Sequence, residues 1–209
     1  MKTIVCYGDS NTWGSDPTAR DRYPWERRWT GILQRELGDG YRVIEEGLPG
    51  RTTNLDDIIE PGRNGMTYLL PCLDSHRPID LVTVMLGTND LKERFNRNAS
   101  DIAQAAALVA RTAATAPVGP GRTTPMVLFM APPPVAALTG FDLTFRGADE
   151  KSRLFARYYA LQAGYNGLPF IDTGAVVRSS DVDGIHLDAE ELPKIAAAVL
   201  TKIRELLDD

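Results

Sequence analysis

Gly8-Asp9-Ser10 follows an apolar run, Thr3-Ile4-Val5-Cys6-Tyr7, and Asp183-Gly184-Ile185-His186 stands near the other end of the chain. The sequence holds two histidines, and this one lies three residues after an aspartate. A neutral serine hydroxyl is a poor nucleophile and needs an adjacent base. An aspartate one turn before a histidine can hold the ring's Nδ1–H and leave Nε2 free to take a proton. Ser10, His186 and Asp183 are therefore the parts of a hydrolytic triad. Each part has a plainer reading when taken singly. Ser10 after a strand reads as a helix N-cap, and Asp183 with His186 reads as a turn carrying a surface ion pair. Their joint occurrence favours the chemistry.

Acyl transfer also requires donors for a developing oxyanion, each typically worth ~3 kcal/mol of barrier. The backbone N–H groups of Ser10 and Gly50 and the side-chain amide of Asn89 are the candidates. Glycine at position 50 lets the backbone approach a ligand closely, although Pro49-Gly50 is also a common turn pair. Asn89 has the alternative of bonding its own backbone. Beside the triad, Asp9, Asn11, Trp13 and Ile185 are candidate substrate-binding residues. Asp9 also reads as a brace for its loop, and Trp13 as a core residue. His76, just before Arg77-Pro78, reads as a cation at a helix end, where it favours the dipole. Trp25, Trp29, Phe141 and Phe145 fall in or beside long loops, where aromatic residues wall a pocket or bury a subunit interface.

The elements that must position these groups alternate along the chain. Thr3–Tyr7, Leu81–Leu86 and Met126–Ala131 are apolar runs that predict buried parallel strands, joined by the shorter Arg42–Glu45 and Leu168–Asp172. Trp29, Ile32, Leu33 and Leu37 follow helical spacing, with Gly38 as the terminating residue. The Ala-rich stretch from Asp101 to Ala116 and the segment Lys151–Gly164 predict further helices. A last helix is expected from Asp188, with Glu191 in capping-box register and Pro193 tolerated in the first turn. Leu192, Ile195, Val199, Ile203 and Leu206 form its apolar face. This order predicts an α/β fold, a three-layer α/β/α sandwich with a five-stranded, mostly parallel sheet. One domain spanning residues 1–209 is expected, with long loops at 14–26, 47–65 and 132–147 that are functional or interfacial. In such sheets ligands bind outside the carboxyl ends of the strands. Ser10, Gly50, Asn89 and the Asp183/His186 turn each follow a strand, so four motifs converge on one edge.

Gly8-Asp9-Ser10, Gly50, Gly87-Thr88-Asn89-Asp90 and Asp183-x-x-His186 resemble, in order, the four blocks of the SGNH (GDSL-like) hydrolase superfamily, across almost the whole chain. Arg28-Trp29-Thr30-Gly31, Val43-Ile44-Glu45-Glu46-Gly47-Leu48, Arg51-Thr52-Thr53-Asn54 and Val182–His186 resemble its bacterial aryl esterase/acyltransferase branch. The resemblance implies a flavodoxin-like fold and Ser10 as nucleophile with Asp183 and His186 as its partners. It implies Ser10, Gly50 and Asn89 as oxyanion donors. It also implies hydrolysis of short-chain aryl, alkyl or acetylated-sugar esters through an acyl-enzyme, with acyl transfer to alcohols or peroxide in some members. Homo-oligomers, including octamers, are implied as well. Asn11 departs from the leucine usual in the first block, which bears on substrate preference and not on the reaction.

Composition limits the alternatives. A net charge of -5 argues against a nucleic-acid binder, which needs a basic footprint. No apolar stretch approaches a membrane span or a signal-peptide core, so a cytoplasmic protein without a membrane partner is expected. Cys6 and Cys72 do not form a disulfide framework. No cofactor is expected. A metal-dependent hydrolase is disfavoured because two distant histidines give no cluster such as His-Glu-x-x-His. The α/β-hydrolase elbow Gly-x-Ser-x-Gly is absent, since position 12 is Thr. A carbohydrate-binding or assembly protein on a retained hydrolase fold is the remaining alternative, and the full set of catalytic residue types argues against it.

Overall fold

A computed structural model describes residues 1–207, so the last two positions of the expected domain lie outside the described residues. Five strands form one sheet: β1 (Lys2–Gly8), β2 (Tyr41–Gly47), β3 (Leu81–Met85), β4 (Met126–Ala131) and β5 (Phe170–Asp172). Their order is β2-β1-β3-β4-β5, and every pairing is parallel. Alternate residues of each strand enter different cores. Val5, Tyr7, Val82, Val84, Val127 and Phe129 face one side; Ile4, Cys6, Leu81, Met85, Leu128 and Met130 face the other. Burial on both faces is why the strands are continuous apolar runs in sequence.

Helices cover both faces. The Val5 side packs α2 (Gly65–His76), α3 (Ala99–Thr115) and α4 (Phe155–Asn166), and the Ile4 side packs α1 (Trp29–Leu37) and α5 (Leu192–Leu207). The small residues of α3 allow close packing: Ala103, Ala106, Ala110 and Ala113 are fully buried. The expected α/β/α sandwich is present, with Gly38 capping α1 at φ 70°.

Two helix boundaries differ from expectation, and both for tertiary reasons. The capping box at Asp188 and Glu191 does not form. Asp188 Oδ1 accepts from Ser180 Oγ at 2.7 Å and Glu191 accepts from the Arg178 N–H, so α5 begins only at Leu192. The segment expected as one helix from Lys151 to Gly164 is two, Ala148–Ser152 and α4, with a break at Arg153-Leu154. Buried Ser152 donates to the Asp149 carbonyl and accepts from the Val135 N–H, which ties that turn to the loop after β4. A side chain that bonds elsewhere in this way competes with helix continuation.

Strand pairing places Gly8 opposite Gly47 on one side and Met85 on the other. The segments carrying Ser10, Gly50 and Asn89 all leave the sheet from this row. Among the described residues no helix is long and apolar enough to cross a membrane.

Candidate active site

Ser10 opens a single helical turn, Ser10–Trp13, directly after β1. The N-cap is Asp9, whose Oδ1 accepts from the Asn11 N–H at 3.0 Å. Because its neighbour takes the capping role, the Ser10 hydroxyl is free for another partner. That partner is His186, with Nε2 3.0 Å from Ser10 Oγ.

The turn carrying His186 is built around Asp183. Asp183 Oδ1 accepts from the backbone N–H groups of Ile185 (2.8 Å) and His186 (2.9 Å), and Oδ2 lies 2.6 Å from His186 Nδ1. Burial alone would raise this carboxyl's pKa. The hydrogen bonds from the His186 ring, the His186 N–H and the Ile185 N–H outweigh burial and hold it below the usual carboxylate range. An ionised carboxylate only accepts, so Nδ1 carries the ring proton and Nε2 is left as acceptor for the serine O–H. Ser180, which no sequence motif marks, braces this turn. Its N–H donates to the His186 carbonyl at 2.7 Å and its carbonyl accepts from Gly184 N–H. Phe141 sets its ring edge-on to the imidazole, with centroids 6.4 Å apart.

The oxyanion candidates converge through Arg51. Asn89 Nδ2 donates to the Arg51 carbonyl at 3.1 Å, which spends one of its two N–H bonds and fixes the amide. Gly50 has φ 79°, a left-handed conformation suited to glycine. The Arg51 guanidinium is buried, donates to the Gly8 and Glu46 carbonyls, and lies over the Tyr7 ring at 4.2 Å. Asp90 accepts from Thr53 Oγ1 (2.5 Å) and Thr53 N–H (2.9 Å), which ties the 47–65 loop to the Asn89 segment. Burial pushes Asp90 up to about 7 and Asp9 up to about 6. Arg51, Thr53 and Asp90 fall inside the recognised motifs, but the motifs do not say what these side chains hold, and Ser180 has no motif at all, because these roles come from contacts across the fold.

A cavity of about 640 Å³ opens onto Asp183 and His186, walled by Trp13, Pro49, Thr139, Phe141 and Val182. Of the four expected substrate-binding residues, Trp13 alone lines it. The other three are buried and do not line it, and among the described residues Asp9 Oδ2 and Asn11 Oδ1 have no hydrogen-bond partner. Asp9 caps the Ser10 turn, and buried Asn11 donates to the Ile185 carbonyl at 3.2 Å, so residue 11 binds the histidine turn to the serine turn. Ile185 is buried in the apolar core. The loop aromatics divide as well. Trp29 and Phe145 are core residues, Phe141 lines the cavity and Trp25 is partly exposed.

The chain matches the model of the GDSL-like Lipase/Acylhydrolase family over residues 6–190. The chain belongs to that family. It is a carboxylic ester hydrolase of SGNH type. Among solved structures it is similar to the aryl esterase of M. smegmatis, at 40% identity and a TM-score of 0.94 over 99% of this chain and 100% of that one. A carbohydrate acetylesterase from Sinorhizobium meliloti is similar at the same identity, TM-score and coverage. Another member of the carbohydrate acetylesterase family from Sinorhizobium meliloti is 36% identical with a TM-score of 0.93, each chain covered in full. No curated protein matches the chain at significant similarity.

Proposed function

We propose that the protein is a serine esterase of small acyl esters, acting as one domain through an acyl-enzyme on Ser10. The observation that carries this reading is the continuous chain of contacts Ser10 Oγ–His186 Nε2–His186 Nδ1–Asp183 Oδ2, at 3.0 Å and 2.6 Å. As Ser10 Oγ attacks the ester carbonyl carbon, Nε2 takes the hydroxyl proton and Asp183 stabilises the resulting imidazolium. The carbonyl oxygen becomes an oxyanion facing the Ser10 N–H, the Gly50 N–H and the second N–H of the Asn89 amide. Collapse expels the alkoxide, which His186 protonates, and leaves the acyl group on Ser10. Water, or an alcohol in acyl transfer, then attacks with the same proton shuttle. Trp13 and Phe141 give the cavity aromatic walls suited to aryl and acetylated-sugar esters, the classes named for its structural relatives. The reading includes a homo-oligomer and a cytoplasmic location, with Cys6 and Cys72 as free buried thiols.

The test is Ser10→Ala assayed on p-nitrophenyl acetate and on acetylated sugars. The variant should fold normally and lose at least ~10³-fold in turnover. Near-normal turnover in the folded variant would remove the serine mechanism.

A further inference from the structure

Three side chains that the active site does not use meet where β2 ends against the last turns of α2: Glu46, Cys72 and His76. Cys72 and His76 are four residues apart on α2 and so share a helix face. One ligand atom from each residue, a carboxylate oxygen, a thiol sulfur and an imidazole nitrogen, lies within 4.8 Å of the others. His76 Nε2 is 2.6 Å from Glu46 Oε1. Cys72 is buried in the core, whereas the Glu46 and His76 side chains are 17% and 25% exposed, which gives an ion an approach from solvent.

We propose that Glu46, Cys72 and His76 form a binding site for a zinc-class divalent cation, separate from the Ser10 site. Oxygen, sulfur and nitrogen donors are the set that zinc takes, and three protein ligands leave a fourth position for water. In a tetrahedral site with these donors, neighbouring ligand atoms sit roughly 3.3 Å apart or slightly more. The imidazole and carboxylate must therefore part by about 0.7 Å to admit the ion, within the reach of two partly exposed side chains. On binding, the Cys72 S–H bond breaks, its proton leaves to solvent and a metal–sulfur bond forms. The Glu46–His76 hydrogen bond is exchanged for two coordinate bonds. A thiolate and a carboxylate neutralise the dication. Arg51, over the Tyr68 ring at 5.4 Å, is already bonded to the Glu46 carbonyl. Burial, then the Glu46 carboxylate, pushes the Cys72 thiol up to about 12, so the thiol stays protonated until a cation reverses the local field. A bound ion would pin α2 to β2 at the base of the loop that carries Gly50.

Cobalt(II) alone, titrated into the chelator-washed protein near neutral pH, tests the site. The expected result is one ion per chain, a sulfur-to-cobalt charge-transfer band in the near ultraviolet, the strong visible bands of four-coordinate cobalt, and release of a proton. Zinc should displace it. Cys72→Ser should abolish the charge-transfer band, and His76→Asn should weaken binding by at least about tenfold. His76→Asn lies on partly exposed surface, so it remains informative if Cys72→Ser fails to fold. Ser10→Ala should bind cobalt as the wild type does. No cobalt spectrum at millimolar ion, binding without the charge-transfer band, or full-strength binding in His76→Asn would each overturn the proposal.

Discussion

Asp9 is adjacent to Ser10, the proposed nucleophile, and yet owes its character to burial. Its carboxyl is pushed up to about 6 by desolvation, which the Asn11 N–H only partly offsets. An acid whose folded-state pKa is raised makes its full contribution below its ordinary pKa near 3.8. That contribution declines as pH rises from there and is gone above about 6, because between these values the native carboxyl keeps a proton that the unfolded one has released. Asp183 behaves in the opposite sense. Its folded-state pKa is depressed, so its contribution is present above the ordinary carboxylate range and disappears only in acid. Asp9→Asn keeps an acceptor for the Asn11 N–H and removes the charge. Urea unfolding at about pH 4.5 and about pH 7.5 should show the wild type losing stability across this interval. The variant should lose less by on the order of 2 kcal/mol, with the share of Asp90 remaining. An equal loss in both proteins would exclude Asp9 as a source of the slope.

At the scale of elements, Arg51 joins β1, β2 and the Asn89 segment. Its side chain holds the carbonyls of Gly8 and Glu46, and its own carbonyl holds the Asn89 amide. Arg51→Ala takes one donor from each of two carbonyls, Gly8 keeping that of the Leu48 N–H, and removes a buried cation from the Tyr7 face, a stability cost of about 3 kcal/mol. If the residue positions Gly50 and Asn89, kcat should fall at least about tenfold in the folded variant with little change in KM, as for loss of a transition-state contact. A lower Tm with unchanged kcat would make Arg51 a strut of the fold alone. The Arg51-Thr52-Thr53-Asn54 motif includes this residue but does not reveal its role, which depends on ring and carbonyl positions that strand pairing creates. The strands themselves were legible, since burial of both faces writes itself as an uninterrupted apolar run such as Ile4–Tyr7. The Ser10–His186–Asp183 contact chain was legible because Asp183 and His186 share one turn. Helix starts were not, since Asp188 and Glu191 have capping chemistry but bond to Ser180 and Arg178 instead. Asp9, Asn11 and Ile185 were expected at the substrate, and the structure buries them away from the cavity lining. Adjacency in sequence to Ser10 or His186 does not say which side of a turn faces the cavity.

Across the whole molecule, the surface carries apolar residues that the fold does not cover. Ile58 is 93% exposed and Ile59 67% exposed, side by side in the 47–65 loop. Single exposed apolar residues need no explanation, but an adjacent pair held in place is different. The loop beneath them is fixed by buried Asp57, whose Oδ1 accepts from the Ile59 N–H (3.0 Å) and from Arg94 Nε (3.1 Å), while Oδ2 pairs with Lys92 and Arg94. Burial would raise the Asp57 carboxyl, yet bonds from Arg94, the Ile59 and Glu60 N–H groups and Lys92 outweigh it and keep the group ionised. This hydrogen-bonded base presents two isoleucines to water, and a homo-oligomer that covered them would bury their apolar surface. Light scattering at micromolar concentration should therefore give a mass several times the 22.9 kDa of one chain. The double substitution Ile58→Asp with Ile59→Asp should lower that mass, since it places a charge pair where contact would exclude water. The loop's ion pairs lie beneath the substituted positions, so the variant should keep its fold. A wild type of single-chain mass would remove the oligomer from the proposal, and an unchanged assembly in the double variant would move the interface away from this loop.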